Sequence, residues 1–102
     1  MERNRIEPYF MEIGYQKRRI KMKYIINELI SYRKYLKSVI IENKIALNET
    51  GAFIFLSFED IKSYEEMLAE FEKHYKVTEG FQNEVRILFD QLIEKKYIIE
   101  AV

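Results

Sequence analysis

Glycine and proline interrupt this chain at only four of its 102 positions, namely Pro8, Gly14, Gly51 and Gly80. Because these residues are the strongest local breakers of helices and strands, we expect long uninterrupted elements between them. Apolar residues make up 48% of the sequence and aromatic residues 15%, which supplies one hydrophobic core. A chain of this length is the size of a single domain. We therefore expect one domain over residues 1–102, with an N-terminal arm at residues 1–15 and a core at residues 16–102.

The segment from Gln16 to about Ile45 has the apolar spacing of a helix. Its apolar residues recur at alternating steps of three and four positions, which places them on one stripe. The stripe consists of Met22, Ile25, Leu29, Tyr32, Leu36 and Val39, and it is widened by Ile26, Ile30 and Ile40. A stripe this broad is typical of a helix that buries a whole face. The sequence therefore predicts the longest helix of the chain over this segment.

Two further helices are predicted in the second half of the chain. Their apolar positions are Tyr64, Met67, Leu68, Phe71 and Tyr75 in the first helix, and Phe81, Val85, Leu88, Phe89 and Leu92 in the second. A serine followed three residues later by an acid can cap a helix, and both Ser57 with Asp60 and Ser63 with Glu66 have this spacing. One of the two pairs begins the first helix. Thr78 is the expected cap of the second.

Two short apolar segments complete the predicted fold. Residues 52–58 follow a predicted turn and form an aromatic and β-branched run without polar alternation, which is typical of a strand buried on both faces. Residues 97–102 form a similar run, and we expect them to pair with residues 52–58. The predicted fold class is therefore α+β and mainly helical. Three main helices pack with a short two-stranded ribbon, in the order helix, strand, helix, helix, strand.

The sequence carries no recognisable catalytic or metal-binding pattern. It has no cysteine and only one histidine, His74, so it offers no thiolate and no second imidazole to share a metal. His74 is expected to be exposed or capping near a helix end. Carboxylates such as Glu66 and Glu70 are typical of a solvated helix face. No glycine-rich phosphate loop and no His-Glu-x-x-His motif occurs. We expect a protein that is not an enzyme and that has no cofactor and no metal.

The N-terminus reads Met1-Glu2-Arg3-Asn4-Arg5 and has no apolar run behind it. A secretory signal needs such a run, and a membrane-spanning helix needs about 18 or more consecutive apolar residues. We therefore expect neither a signal peptide nor a membrane span. Since cysteine is also absent, the sequence favours a cytoplasmic protein.

Charge is distributed unevenly along a chain whose net charge is zero. Residues 1–40 hold ten Lys and Arg against four Glu, a net charge of +6, and residues 41–102 hold seven against thirteen acids, a net charge of −6. The densest basic run consists of Lys17, Arg18, Arg19, Lys21 and Lys23. These residues can neutralise the phosphates of a nucleic acid. They can equally complement the acidic half of the same chain or of a protein partner.

Part of the sequence resembles a winged helix-turn-helix domain, from about Tyr24 onwards. Residues 63–71 look like the second helix of that family, residues 76–78 like its turn, residues 81–96 like its recognition helix, and residues 92–98 like the exit into the wing. The resemblance implies that Gln82, Asn83 and Arg86 face the major groove of DNA, where amide and guanidinium groups pair with base edges.

The favoured function is protein–protein interaction by a small binding protein, with a second copy of the chain as one of the partners considered. A chain this rich in aromatic residues can leave apolar side chains exposed as a binding site. The candidate interface residues are Phe10, Met11, Ile13 and Tyr15. The alternative is a nucleic-acid-binding regulator of winged-helix type that uses the basic run.

Overall fold

The structure of the chain is a computed structural model and describes residues 22–101. These residues form three helices and two three-stranded antiparallel sheets. In chain order the elements are β1 (Lys23–Ile26), β2 (Tyr32–Lys34), β3 (Val39–Ile41), β4 (Ile45–Leu47), α1 (Glu49–Ser57), β5 (Lys62–Ser63), α2 (Tyr64–His74), α3 (Phe81–Glu94) and β6 (Ile98–Glu100). The fold is therefore α+β.

Strands β2, β3 and β4 form the first sheet as two consecutive hairpins, with β3 in the centre. The second hairpin turns at Glu42 and Asn43, whose φ angles are 55° and 56°, and Lys44 donates its N–H to the Ile41 carbonyl at 2.9 Å. The connection comprises residues 42–44, and its two positive φ values match the right-handed twist of the strands. The inner face carries Val39 and Ile41, both fully buried. It packs on α1, where Tyr32 meets the ring of Phe55 edge-on at 5.0 Å.

Strands β5, β1 and β6 form the second sheet, with β1 between two strands that come much later in the chain. Ile26 of β1 pairs with Ile98 of β6, and both side chains are buried. On the other side, Lys23 pairs with Ser63 and Tyr24 with Lys62. This register places the start of β1 beside the start of α2.

Side-chain caps fix where two of the helices begin. The Asn48 side chain accepts the Gly51 N–H at 3.0 Å and caps α1. At α2, the Ser63 hydroxyl accepts the Glu66 N–H at 3.1 Å, and the Glu66 carboxylate accepts the Ser63 N–H at 2.8 Å. This reciprocal capping box satisfies two backbone donors at once. Of the two pairs that the sequence offers as the start of this helix, Ser63 with Glu66 begins α2, whereas Ser57 is the last residue of α1.

The core lies between the two sheets and the three helices. Its largest fully buried side chains include Phe55, Phe58, Met67 and Phe89. Aromatic rings meet edge-on here, with Tyr24 at 5.1 Å from the ring of Phe89. Each such contact contributes about 0.5–1.5 kcal/mol to stability beyond the effect of the apolar area that it buries. Within residues 22–101, no helix is long and apolar enough to cross a membrane.

The prediction of a mainly helical chain is wrong, because the segment expected to form the longest helix contains β1 to β4. Leu29 and Leu36, placed in the core by the helical stripe, are 87% and 97% exposed. The segment is dense in β-branched residues, which suit a pleated surface better than a helix. Short strands separated by connections of five, four and three residues happen to place apolar residues three and four positions apart.

The strand predicted at residues 52–58 is also wrong, because most of this run lies in α1. The helical period is hard to detect in this run because it lacks a polar face. Its buried residues are Ala52, Ile54, Phe55 and Phe58. A fully apolar run cannot be assigned to a strand or a buried helix by periodicity alone. Without that strand the predicted two-stranded ribbon does not exist. Residues 98–100 do form a strand, β6, but its partner is β1.

The remaining two predicted helices correspond to α2 and α3, and their apolar faces are those predicted. Met67, Phe71, Val85, Phe89 and Leu92 are buried. The expected cap at Thr78 is wrong, since α3 begins after Gly80, which has a φ of 86°. The Thr78 carbonyl instead accepts the Phe81 N–H at 3.2 Å.

Candidate functional site

The outer edge of β4 presents backbone groups that no described strand pairs with. On the β2 side of the sheet, Tyr35 donates its N–H to the Ser38 carbonyl and Glu42 donates its N–H to the Ser31 carbonyl. Since backbone groups alternate along a strand, the N–H and C=O of Ile40 in β3 also point to β2. The N–H and C=O groups of Val39 and Ile41 then point to β4, where they pair with Leu47 and Ile45. By the same alternation, Ala46 directs its N–H and C=O away from the sheet. Ala46 is exposed, so a further strand has access to these groups.

Helix α3 runs close to the end of β4. A Cβ atom added to Gly51 would lie 3.3 Å from Cδ2 of Leu88 and 3.4 Å from Cβ of Leu47. The side chains of Leu47 and Leu88 both approach this glycine, so a side chain here would require a neighbour to move by a few tenths of an ångström. The half-buried Leu88 forms the wall between β4 and the helix bundle.

An apolar pocket of about 160 Å³ opens on the other side of Leu88, where the three helices meet. It is lined by Ile54, Phe71, Phe81, Val85 and Leu88, with Thr50 and Glu84 as its polar members. The rings of Phe71 and Phe81 are stacked at 6.0 Å with an angle of 7° between them. Because Gly51 lies beside both Leu47 of β4 and Leu88 of the pocket lining, the pocket adjoins the end of β4. We call the free edge of β4 together with this pocket the β4–α3 groove.

The ionisable groups with shifted pKa values are engaged in structural contacts outside this groove. The Glu59 carboxylate lies 2.8 Å from the Lys34 ammonium and 2.9 Å from the Tyr32 hydroxyl. Its pKa is lowered, and the contact with Lys34 is the main cause. Burial is the main cause of the raised pKa of Tyr32. The backbone N–H of Ser63 lowers the pKa of Glu66. Among residues 22–101, no three acidic or histidine side chains are grouped so as to hold a metal.

A family model described as coenzyme PQQ synthesis protein D (PqqD) matches residues 37–98 of the chain. The match covers well over half of the 102 residues. The chain belongs to the PqqD family. This is a family of small peptide-binding, protein-interaction domains, which supports the prediction of a protein-interaction function. No curated protein and no solved structure matches the chain.

The PqqD match contains the whole β4–α3 groove and leaves out part of the fold. Residues 37–98 span β3, β4, the three helices and β5. Ala46, Leu88 and all the residues of the pocket lie within it. Strands β1 and β2 precede it, although β1 forms the centre of the second sheet. The groove is thus built from the part of this chain that is shared with the PqqD family.

The predicted basic site is described only at its last residue. Lys17, Arg18, Arg19 and Lys21 lie outside the described residues, as do the predicted interface residues Phe10, Met11, Ile13 and Tyr15. Lys23 lies on β1, and its Nζ atom is 3.4 Å from a carboxylate oxygen of Glu66. In the described structure this cation therefore contacts an acid of the same chain.

Gln82, Asn83 and Arg86 are exposed on the first turns of α3, and their contact with the major groove of DNA stays a prediction. The Arg86 guanidinium lies over the ring of Tyr64 at 4.7 Å, and its Nε is 3.1 Å from the Asp90 carboxylate. It thus has partners within the chain. The PqqD match does not address nucleic acid or a homodimer, and both remain predictions.

Sequence reasoning missed the residues that form the β4–α3 groove. The predicted helix ends at about Ile45 and leaves Ala46 and Leu47 unassigned, so the sequence predicts no free strand edge here. The adjacent Val39-Ile40-Ile41 run followed by Glu42-Asn43 was the available signal, since β-branched residues followed by a polar turn residue such as Asn are typical of a hairpin. Leu88 and Phe81 were found, but as core residues of α3.

Proposed function

We propose that this chain binds an extended segment of a partner protein as an added strand on β4, with one apolar side chain of that segment in the groove pocket. The observation that carries the proposal is the free edge at Ala46 beside Leu88 and the pocket. Peptides that add to a sheet edge gain affinity from backbone hydrogen bonds and specificity from pockets for alternate side chains. Membership of the PqqD family, whose domains bind peptides, supports this function.

Composition distinguishes β4 from the other strands at sheet edges. Charged residues on an edge strand discourage further pairing. Strand β2 contains Arg33 and Lys34, β5 contains Lys62, and β6 contains Glu100. Strand β4 has the sequence Ile-Ala-Leu and carries no charge. Of the edge strands in residues 22–101, β4 is therefore the one whose composition favours an added strand.

The pocket supplies most of the expected binding energy. Each backbone hydrogen bond contributes about 0.5–1.5 kcal/mol after exchange with water, and a strand as short as β4 offers few of them. Burying one large apolar side chain contributes about 1.5–3 kcal/mol. We therefore expect bound peptides to share a bulky apolar residue and to vary more at other positions.

Selection of binders from a display library of random peptides tests this function. Ala46→Pro removes the outward N–H, and proline is tolerated on an edge strand at such a position, so the fold should persist. We expect Ala46→Pro to weaken binding of the selected peptides roughly two- to tenfold in Kd, which corresponds to the loss of one backbone hydrogen bond. Lys34→Pro is the matched control, because the N–H of Lys34 also points away from its sheet, on β2. Peptides that bind wild type and Ala46→Pro equally well would rule out the β4 edge.

A further inference from the structure

The face of the first sheet that points away from α1 carries apolar side chains next to the free edge of β4. Val39, Ile41 and Leu47 are buried on the inner face. Side chains alternate between the two faces of a strand, so those of Ile40 and Ala46 lie on the opposite face. Ile40 is half-buried there and Ala46 is exposed. We call this side of the sheet the outer face.

The strand register places the outer-face side chains in one row. Arg33 pairs with Ile40, and Ile40 pairs with Ala46. Paired residues of antiparallel strands share a face, and their Cβ atoms are about 4.5–5.5 Å apart. The row therefore crosses the sheet from Arg33 to Ala46 and ends at the free edge of β4. Its last member is its smallest, since Ala46 carries only a methyl group.

A strand added to β4 continues this row. Residues that lie opposite one another in a sheet have their side chains on the same face, so the peptide residue opposite Ala46 places its side chain on the outer face. The next peptide residue, opposite Leu47, places its side chain on the inner face. Leu47 stands at the end of β4 that adjoins the groove pocket. Two consecutive peptide residues therefore contact opposite faces of the sheet, and we call the one in the pocket the anchor.

The outer face beside the added strand is suited to an apolar side chain. Neighbouring strands are about 4.8 Å apart, so a large side chain on the added strand would extend over Ala46 towards Ile40, about 10 Å away. Arg33, the charged member of the row, lies one strand further and contacts the Asn43 amide. A depression of about 230 Å³ beside Ile40 keeps this face open. Covering the apolar side chains of Ala46 and Ile40 is favourable.

We propose that Ala46 and Ile40 form a second subsite for the bound peptide, in which the residue next to the anchor packs as a β-branched or aromatic side chain. Such side chains contribute most to cross-strand pairs. The inference rests on the proposed function, because it requires a peptide paired with β4. The preferred peptides then carry two adjacent large apolar residues, one for each face of the sheet. The outer-face preference is the weaker one, since a side chain there is covered on one side only.

Substitution of a selected peptide at both neighbours of its anchor tests the second subsite with the unmodified full-length chain. Each neighbour is changed to Ser in turn, and fluorescence anisotropy gives the two Kd values. We expect the change at one neighbour to weaken binding about two- to fivefold, the range of cross-strand side-chain pairs. The other neighbour lies beyond the end of β4, and its change should have no such effect. Equal Kd values for the original peptide and both substituted peptides would overturn the subsite.

The variant Ala46→Glu tests which residue of the chain is responsible. It keeps the backbone N–H of residue 46 and places a carboxylate on the outer face. Compared with wild type, we expect the ratio of Kd values to shift about two- to fivefold in favour of a peptide with Lys at the sensitive position over one with an apolar residue there. Ile99→Glu is the matched control, because Ile99 is a partly exposed residue of an edge strand in the other sheet. It should leave this ratio unchanged.

The second subsite and the proposed function fail in different ways. A peptide that is weakened by Ala46→Pro but has the same Kd ratio in wild type and Ala46→Glu would support the β4 edge and overturn the second subsite. A peptide whose binding neither variant alters would overturn both. An equal shift of the ratio in Ala46→Glu and Ile99→Glu would also overturn the subsite, because it would reflect the added charge alone. Urea unfolding shows that each variant is folded.

Discussion

The Glu42 carboxylate accepts a hydrogen bond from the backbone N–H of Ser31 at 2.7 Å and a second one from the Ser31 hydroxyl at 3.0 Å. Glu42 has a φ of 55°, an angle that residues other than glycine and asparagine rarely adopt. The two hydrogen bonds stabilise this conformation and connect the β3–β4 turn to Ser31, the residue before β2. One side chain thus stabilises both the turn and the sheet register.

This contact makes the sheet sensitive to acid. The Ser31 N–H is the main cause that lowers the pKa of Glu42 from its ordinary value of 4.5. Because the folded pKa is lower than the unfolded one, the contribution to stability is present above pH 4.5 and is lost as the pH falls through the folded pKa. We expect the stability difference between wild type and Glu42→Gln to shrink on acidification, as measured by urea unfolding. Glu72→Gln, an exposed change on α2, should show no such trend from this contact.

Helix α3 ends in a conformation that suits glycine but is occupied by lysine. Lys96 has a φ of 63°. Its N–H donates to the Ile93 carbonyl and that of Tyr97 donates to Leu92, both at 3.0 Å, which is the Schellman pattern. We expect Lys96→Gly to stabilise the protein by about 1 kcal/mol, since glycine escapes the steric cost of this region. The control Lys95→Gly, at a φ of −84°, should bring no gain. Equal effects in thermal unfolding would contradict this origin.

Removing the Ser63 cap of α2 should destabilise the fold. Ser63 is 1% exposed, and its hydroxyl caps the Glu66 N–H. We expect Ser63→Ala to cost about 0.5–2 kcal/mol in the free energy of unfolding, as helix caps do. The matched change is Ser57→Ala, where the hydroxyl donates to the Phe53 carbonyl at 2.8 Å inside α1 and such bonds add little stability. A Ser57→Ala cost equal to that of Ser63→Ala would show that capping is not the cause.

The sequence predicts α2 and α3 well because both have one buried and one exposed face. Their apolar residues repeat every three or four positions, and a capping box marks the start of α2. Helix α1 lacks this contrast, since it is buried around most of its circumference. Its N-cap, Asn48, lies in the turn that the sequence predicts before residue 52, and asparagine is typical of turns as well as of caps.

Strands β1 to β4 are harder to predict because each has only three or four residues. Alternation needs a longer run to be recognised, and the loops between the strands broke it. The β4–α3 groove is harder still. Whether Ala46 faces another strand or solvent depends on the order of strands in the sheet, which local sequence does not encode. Leu47 and Leu88, which both lie beside Gly51, are likewise far apart in the chain.

Substitutions at the neighbouring residues Leu88 and Ile87 distinguish an effect on peptide binding from an effect on the stability of α3. Leu88 is half-buried and lines the groove pocket, whereas Ile87 is 59% exposed outside it. If a bound peptide buries an apolar side chain against Leu88, Leu88→Ser should weaken binding of selected peptides by about 1.5–3 kcal/mol, which is roughly ten- to a hundredfold in Kd. Ile87→Ser introduces the same polar group one position away and should leave Kd unchanged. Fluorescence anisotropy with a labelled selected peptide measures both, and urea unfolding shows that each variant is folded. Equal losses in the two variants would mean that peptides do not enter this pocket.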